Sequence, residues 1–317
     1  MSERSSPLPT PATLVALVAV SSAAALMLEI VAGRLIAPFL GTSLHSWTAI
    51  IAVVLAGLSL GALLGGRLAD GPLERGRDRL VAALGLAAFF SLLAPVLLRR
   101  SVALTRGNDL DGIAEVLVVA TAMLFVPSVF AGLVSPLATR LALAQTPPDG
   151  TGRLLGRIFA AGSAGSIVGT LLAGFVMIGY LGSLASVILI AGIYALSALG
   201  VLTARVATWR VAAVLVAAAG VVWGAGTAIG AWTSPCDAES AYSCVRVEAV
   251  PTPTGDGARA LVIDHLTHGA NVRDDPDLFV LGYIELADRL ARRRFDGVPG
   301  LSDCVSGQAL CHGRWSR

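Results

Sequence analysis

Long apolar runs interrupted by very few charges constrain this chain more than any other feature. The first run begins near Leu14, and the run from Leu44 to Gly66 contains no Asp, Glu, Lys or Arg. About 20 consecutive apolar residues can cross the hydrocarbon core of a bilayer as one helix. Only 14% of the 317 residues are charged and the mean hydropathy is +0.77, whereas a soluble domain has about 25% charged residues. We therefore expect an integral membrane protein.

The spacing of the apolar runs predicts an all-α polytopic protein with about seven transmembrane helices. The predicted spans lie near residues 13–33, 44–66, 80–98, 114–138, 155–178, 183–203 and 211–231. Residues 1–12 read as a disordered leader. With the N-terminus in the cytoplasm, ten Arg fall on the inner side and four on the outer side, as the positive-inside rule favours. We expect a multi-pass protein of the cell inner membrane whose C-terminal tail lies outside the cytoplasm.

The first apolar run has a second interpretation. Ala23 to Ala25 resembles the small-residue site at which a signal peptide is cleaved. The run is about as long as a full span. Arg4 is the one basic residue that precedes it, whereas a signal peptide begins with a positively charged region. Both observations favour an uncleaved first helix.

Small residues recur every fourth position in two spans. Gly57, Gly61 and Gly65 form such a face on the second span, and Gly165 and Gly169 form one on the fifth. Faces of this kind allow close approach of helix backbones. We expect these two faces to pack against each other within one chain, or to form the contact between chains of a homo-oligomer.

The fourth span carries two prolines. Pro127 and Pro136 each free a backbone carbonyl, which marks either a cavity or a kink fixed by packing.

The last 86 residues are soluble in character and predict a β-hairpin followed by a helix. The predicted strands are Tyr242 to Val250 and Arg259 to Asp264, and Asp275 with Pro276 predicts the start of the helix. Residues 232–290 form this extension, and residues 291–317 form an irregular tail. Cys236 and Cys244 are candidates for a disulfide. Cys304, Cys311 and His312 are three candidate ligands in an irregular end and make a weak signal for a metal site, so we predict no metal and no cofactor.

Several short motifs resemble the membrane-embedded N-terminal half of bacterial spermidine-synthase-like fusion proteins. The matching residues are Glu29, Arg34, Ala37-Pro38, Gly41-Thr42-Ser43, Trp47-Thr48, Gly57, Gly61, Gly65 to Asp70, Pro127, Gly132 to Pro136, Arg140-Leu141, Gly152-Arg153, Ala164 to Thr170 and Gly174. The resemblance implies that this chain is the membrane domain of a polyamine aminopropyltransferase family member.

The tail extends the resemblance into the small β subdomain that precedes the catalytic domain in that family. Glu239 to Tyr242 is similar to its opening Glu-Ser-x-Tyr, and Leu261 to Asp264 to its Leu-Asp-Gly strand, although His265 replaces the glycine. Tyr283 with Glu285 is similar to its Tyr-x-Glu. The resemblance implies that Asp264 and Tyr283 belong to a substrate site.

The family's glycine-rich nucleotide turn and its later catalytic Asp have no counterpart after Leu290. We therefore expect no aminopropyl transfer by this chain alone. The catalytic half is either supplied by a separate domain or lost through a truncation or an altered reading frame.

Glu29 and Arg34 are the strongest candidates for a binding site inside the membrane. A charge at the centre of a span costs roughly 2.5–3.5 kcal/mol on insertion scales, so each needs a partner. We expect both to face a polar cavity bounded by the second and the fourth or fifth spans. Glu29 would bind a cation, such as an amino group of a polyamine, and Arg34 would bind an anionic group. The alternative is a structural interhelical ion pair.

A transporter related to major-facilitator carriers is the competing function. Gly65 to Asp70 followed by Arg75-Gly76-Arg77 resembles the loop between the second and third helices of those carriers. Glycine-rich, broken helices suit alternating access, but seven spans fit poorly with a six-plus-six plan. A net charge of +2 gives no reason to expect nucleic acid as a partner.

Overall fold

The structure is a computed structural model of the chain, and it describes residues 9–107, 110, 112–202, 206–240, 242–250, 258–272 and 281–294. The leader before residue 9, the turn at 251–257, the helix start at Asp275 and the tail from 295 lie outside the described residues. The chain divides into two compact units, Met1–Ser234 and Pro235–Arg317.

The first unit is helical. Its helices are α1 (Pro11–Leu40), α2 (Leu44–Ala69), α3 (Gly76–Arg106), α4 (Gly112–Ala120), α5 (Val126–Leu143), α6 (Thr151–Leu172), α7 (Ile178–Val201) and α8 (Val206–Ala228). Single π-helical turns, Thr121–Phe125 and Ala173–Met177, join α4 to α5 and α6 to α7. Short 3₁₀ turns, Leu73–Arg75 and Pro148–Gly150, precede α3 and α6.

Both ends of α1 carry residues suited to helix ends. The Thr10 hydroxyl accepts a hydrogen bond from the Thr13 N–H, and Pro11 occupies the first helical position, where its missing N–H has no helical partner to lose. The helix passes through Pro38 and ends at Gly41, whose φ is 74°, a region that glycine adopts without strain. Gly41 therefore ends the helix, whereas Pro38 lies within it.

Among the described residues, five helical segments are long and apolar enough to cross a bilayer: Pro11–Leu40, Leu44–Ala69, Leu73–Arg106, Gly112–Leu143 and Pro148–Val201. Ala213–Ala228 is a shorter apolar helix. The structure thus confirms the prediction that the chain is largely α-helical and has helices suited to a membrane. The 54 residues of the fifth segment would extend about 80 Å as one straight helix, but Gly182, with φ 76° and ψ 170°, breaks it.

Pro127 lies at the junction between a π-helical turn and α5. The turn Thr121–Phe125 ends two residues before it. Widening the helix here gives room for the proline ring and for the backbone group that it leaves without a helical partner. Pro136 lies within α5, and its Cγ would be 2.5 Å from a Cβ placed at Gly65. The two prolines are accommodated by a local π turn and by helix packing.

The glycine faces pack against partners other than those we expected. A Cβ at Gly57 would lie 2.6 Å from Ser128 Cβ on α5, and one at Gly61 would overlap the Val129 carbonyl. Gly165 and Gly169 instead pack on the backbone of α1 at Ala19 and Ala23. The two small-residue faces therefore do not meet. Each face instead meets the backbone of another helix closely, at Val129 and Gly132 on α5 and at Ala19 and Ala23 on α1, and this satisfies the same steric requirement.

The second unit contains a four-stranded antiparallel sheet with strand order β1-β2-β3-β4. The strands are β1 (Ala238–Glu239), β2 (Cys244–Val250), β3 (Ala258–Ile263) and β4 (Leu266–Val272), and helix α9 is Gly282–Arg294. The predicted hairpin is the β2–β3 pair, in which Val247 lies opposite Leu261. The sequence did not predict the flanking strands β1 and β4. A Cys236–Cys244 disulfide links β2 to the segment preceding β1.

Candidate functional site

Glu29 places a carboxyl group inside the helical bundle. It lies on α1 with 9% of its surface exposed. Within the described part of the chain its carboxylate has no hydrogen bond or ion pair. A buried charge without a partner is costly in apolar surroundings. A cation bound beside Glu29 would offset that cost.

Arg34 lies on a different face of α1 from Glu29. Both residues belong to the same continuous helix, and five residues of separation turn the side chains about 140° apart. No ion pair joins them, since the described contacts of Glu29 include none. Arg34 is half-buried and makes its own polar contacts. The structure therefore does not bring the two predicted site residues together.

Gly33 provides space for an aromatic side chain beside Glu29. A Cβ at Gly33 would lie 2.7 Å from the Trp47 ring at the start of α2. The indole ring occupies the space that the absent side chain leaves at this glycine. Trp47 therefore packs against α1 one turn beyond Glu29.

A groove of about 210 Å³ lies on the Glu29 side of α1. It is formed by α1, α2, α5 and α6, and its lining residues are Val18, Ser21, Ser22, Ala25, Leu26, Leu58, Ala62, Ala131, Gly132, Val134, Ser135 and Ser166. Ala25 and Leu26 precede Glu29 by four and three residues, which places them beside it on the helix surface. The groove therefore begins about one helical turn from the Glu29 position.

Serine hydroxyls supply the polar part of this groove. The hydroxyls of Ser22, Ser135 and Ser166 make no hydrogen bond to described protein groups. A hydroxyl donates one hydrogen bond and accepts others, so the three can contact either an ammonium group or water. Tyr194, 1% exposed, donates to the Ser21 carbonyl at 3.2 Å and thereby fixes α7 against α1 beside the groove.

Asp264 and Tyr283 have structural contacts in the second unit. Asp264 lies in the β3–β4 turn with φ 52°; its Oδ1 accepts from the Cys244 N–H at 2.8 Å. The Tyr283 hydroxyl donates to the His268 carbonyl at 2.9 Å, which ties α9 to β4. Both groups that the resemblance assigns to a substrate site are thus engaged with backbone atoms.

The sequence analysis proposed Glu29 as a binding residue but did not single out the serines. Hydroxyls occur throughout apolar helices, where many bond the carbonyl four residues back, as Ser101 does with Leu97. The sequence does not distinguish serines that bond their own helix from serines that line a groove. Within the described ranges no group of three or more His, Cys, Asp or Glu side chains could hold a metal ion.

Comparison of the chain with protein-family models, curated proteins and solved structures finds no match.

Proposed function

We propose that this chain is a seven-span membrane protein that binds a small organic cation, such as a protonated amine, at Glu29 and the adjoining serine groove. We further propose that it corresponds to the membrane domain of a spermidine-synthase-like protein. The observation that carries the binding proposal is the buried Glu29 carboxylate, which has no hydrogen bond or ion pair to any described residue and lies about one turn of α1 from the end of the serine-lined groove.

The seven-span topology is supported by contacts at the two ends of the bundle. At one end Gln145 donates to the Pro9 carbonyl, and Arg77 donates to the Val201 carbonyl at 2.6 Å. At the other, Arg99 donates to the Thr233 carbonyl. These contacts match helices that alternate in direction, with one reversal at Gly41 and another at Gly182.

The orientation rests on Arg placement and on the disulfide. The end of the bundle near Arg77 carries most of the loop Arg residues, which favours the cytoplasmic side. The pairing of Cys236 with Cys244 fits an oxidising compartment. We propose that residues 232–317 lie outside the cytoplasm.

The decisive variant for cation binding is Glu29→Gln, measured with spermidine and putrescine by isothermal titration in detergent. A hydrogen bond to a charged group contributes on the order of 1.5–3 kcal/mol, so Gln should weaken binding at least about tenfold. Ser166→Ala should weaken it less, because a neutral hydroxyl bond contributes about 1 kcal/mol.

Ser163→Ala is the matched control for the serine variant. Ser163 lies on the same helix as Ser166 but is exposed and does not line the groove. Equal affinity for spermidine in the wild type and in Glu29→Gln would refute the site, provided that both proteins have the same thermal stability.

We propose that the chain does not transfer aminopropyl groups by itself. The sequence after Leu290 offers no apolar strand running into a glycine-rich turn, which is the usual cradle of the nucleotide. Spermidine formation from putrescine and decarboxylated S-adenosylmethionine by the purified protein would refute this proposal.

A repeated helix corner favours transport as a second candidate function. Phe39-Leu40-Gly41-Thr42 and Tyr180-Leu181-Gly182-Ser183 have similar sequences, and the two glycines have nearly the same backbone angles, φ 74° and ψ 171° against φ 76° and ψ 170°. Ala32-Gly33 and Ala173-Gly174 precede the two corners at equal spacing.

We propose that the two corners mark related halves of the chain that meet at the groove. One half contains α1, α2 and α5, and the other contributes α6 with Ser166. Secondary transporters bind substrate at such repeat interfaces. Uptake of labelled putrescine into proteoliposomes that is lost in Glu29→Gln would support transport, whereas binding without uptake would support a binding domain.

A further inference from the structure

A second cavity, separate from the serine groove, lies between α3, α7 and α8. Its volume is about 360 Å³. The lining residues are Val81, Gly85, Ala88, Phe89, Leu92, Ile188, Ala191, Gly192, Ala195, Ala198, Leu199, Leu202, Leu215, Val216 and Ala219. Since none of these side chains is charged or carries a hydrogen-bonding group, the cavity suits a hydrocarbon ligand.

The cavity has the length of one leaflet of a bilayer. Along α3 it extends from Val81 to Leu92, which corresponds to roughly 16 Å of helix. The hydrocarbon core is about 30 Å thick, so one leaflet contributes about half of that. An acyl chain lying along α3 would therefore fill the cavity from end to end.

Basic residues mark the end of this cavity that meets the membrane surface. Arg77, Val81, Gly85, Ala88 and Leu92 follow one another along a single face of α3. Arg77 Nε donates to the Val201 carbonyl, next to the lining residue Leu202. The guanidinium is thus held beside the mouth of the cavity. Arg75 and Arg79 lie within two residues of it.

We propose that the α3–α7–α8 cavity binds one acyl chain of an anionic phospholipid whose headgroup lies against Arg77. The lining alone would accept any acyl chain, because lipid tails gain little by leaving other tails. The headgroup therefore decides selectivity. Positive charge near the surface attracts anionic lipid by about 1 kcal/mol for each Arg.

Gly192 allows the cavity to be filled without disturbing the helix. A Cβ at Gly192 meets no atom within 4 Å. The leucine side chain of Gly192→Leu would therefore fill the part of the cavity in which we place the acyl chain. Gly200 on the same helix also has open space at its Cβ but does not line the cavity. Gly200→Leu is therefore the matched control for helix propensity and added bulk.

The test is native mass spectrometry of the protein with added phosphatidylglycerol or phosphatidylcholine of identical acyl chains. We expect one tightly retained phosphatidylglycerol in wild type and in Gly200→Leu, and its loss in Gly192→Leu. Arg77→Gln should lower phosphatidylglycerol affinity about fivefold and leave phosphatidylcholine affinity unchanged.

Two results would overturn the proposal. Retention of phosphatidylglycerol by Gly192→Leu at wild-type affinity would show that the lipid lies elsewhere. Equal affinity of the wild type for the two lipids would show that the headgroup is not recognised. Circular dichroism of each variant shows whether the helices remain folded. If Arg77→Gln unfolds, the Gly192→Leu and Gly200→Leu pair still decides the question.

Discussion

Replacing Gly57 with alanine should separate α2 from α5. The new Cβ would lie 2.6 Å from Ser128 Cβ and 2.8 Å from the Phe125 carbonyl oxygen, whereas carbon atoms pack best at about 3.5–4.0 Å. One of these neighbours is backbone and the other is fixed to it, so a side-chain rotation cannot relieve the overlap. The helices must move apart by about 1 Å.

The stability change follows from that displacement. Overpacking of a filled core usually costs about 1–3 kcal/mol, and a gap of this size removes a quarter to a half of the contact energy of neighbouring atoms. Gly66→Ala is the control, because Gly66 lies on the same helix and a Cβ there meets no atom within 4 Å. Both variants gain about 1 kcal/mol of helix propensity. The difference in unfolding free energy between the two variants therefore measures the cost of the steric overlap at Gly57.

Reversible unfolding by sodium dodecyl sulfate in mixed micelles, followed by circular dichroism, measures this difference. We expect Gly57→Ala to be less stable than Gly66→Ala by about 1–3 kcal/mol. Adding Ser128→Gly should restore part of the loss, seen as coupling in a double-mutant cycle. If Gly57→Ala is as stable as Gly66→Ala, then α2 and α5 do not pack as the structure shows.

Three further predictions concern the second unit. Cys236→Ser should destabilise it by about 2–3 kcal/mol, because the disulfide no longer restricts the unfolded chain; thermal unfolding with and without reductant measures the effect. Asp264→Ala should accelerate amide exchange in β2 by about fivefold or more, since it removes the acceptor for the Cys244 N–H, while Asp264→Asn should do so less. In intact cells treated with a membrane-impermeant reductant, an impermeant maleimide should modify Cys236, which is the less buried partner of the disulfide; modification only after permeabilisation would place the tail in the cytoplasm.

The long apolar helices were predictable because the length of an apolar run that crosses a bilayer is set by the membrane itself. The sequence also placed a break between residues 178 and 183, where Gly182 interrupts the helix. The partners of the glycine faces were not predictable. A face of small residues accepts any helix of suitable shape, so spacing alone cannot distinguish α5 from α6 as the partner of Gly61.

The β2–β3 hairpin was predictable from alternation, and β4 was not. Leu266–Val272 contains His268 and Gly269, which interrupt an apolar pattern, and glycine has low strand propensity. Its strand conformation depends on pairing with β3, where Ala260 lies opposite Ala270. Tertiary pairing thus overrides the local signal.

The hydrogen bonds of Asp264 and Tyr283 show that a sequence motif alone does not assign a functional role to a residue. Asp264 bonds Cys244 through both its backbone N–H and its Oδ1, and its positive φ is a turn conformation that aspartate tolerates better than most residues. The Tyr283 hydroxyl donates to a strand carbonyl. Each residue therefore has structural contacts within the β subdomain. A substrate would have to break these bonds to use the same atoms, whereas the Glu29 carboxylate has no described bond to break.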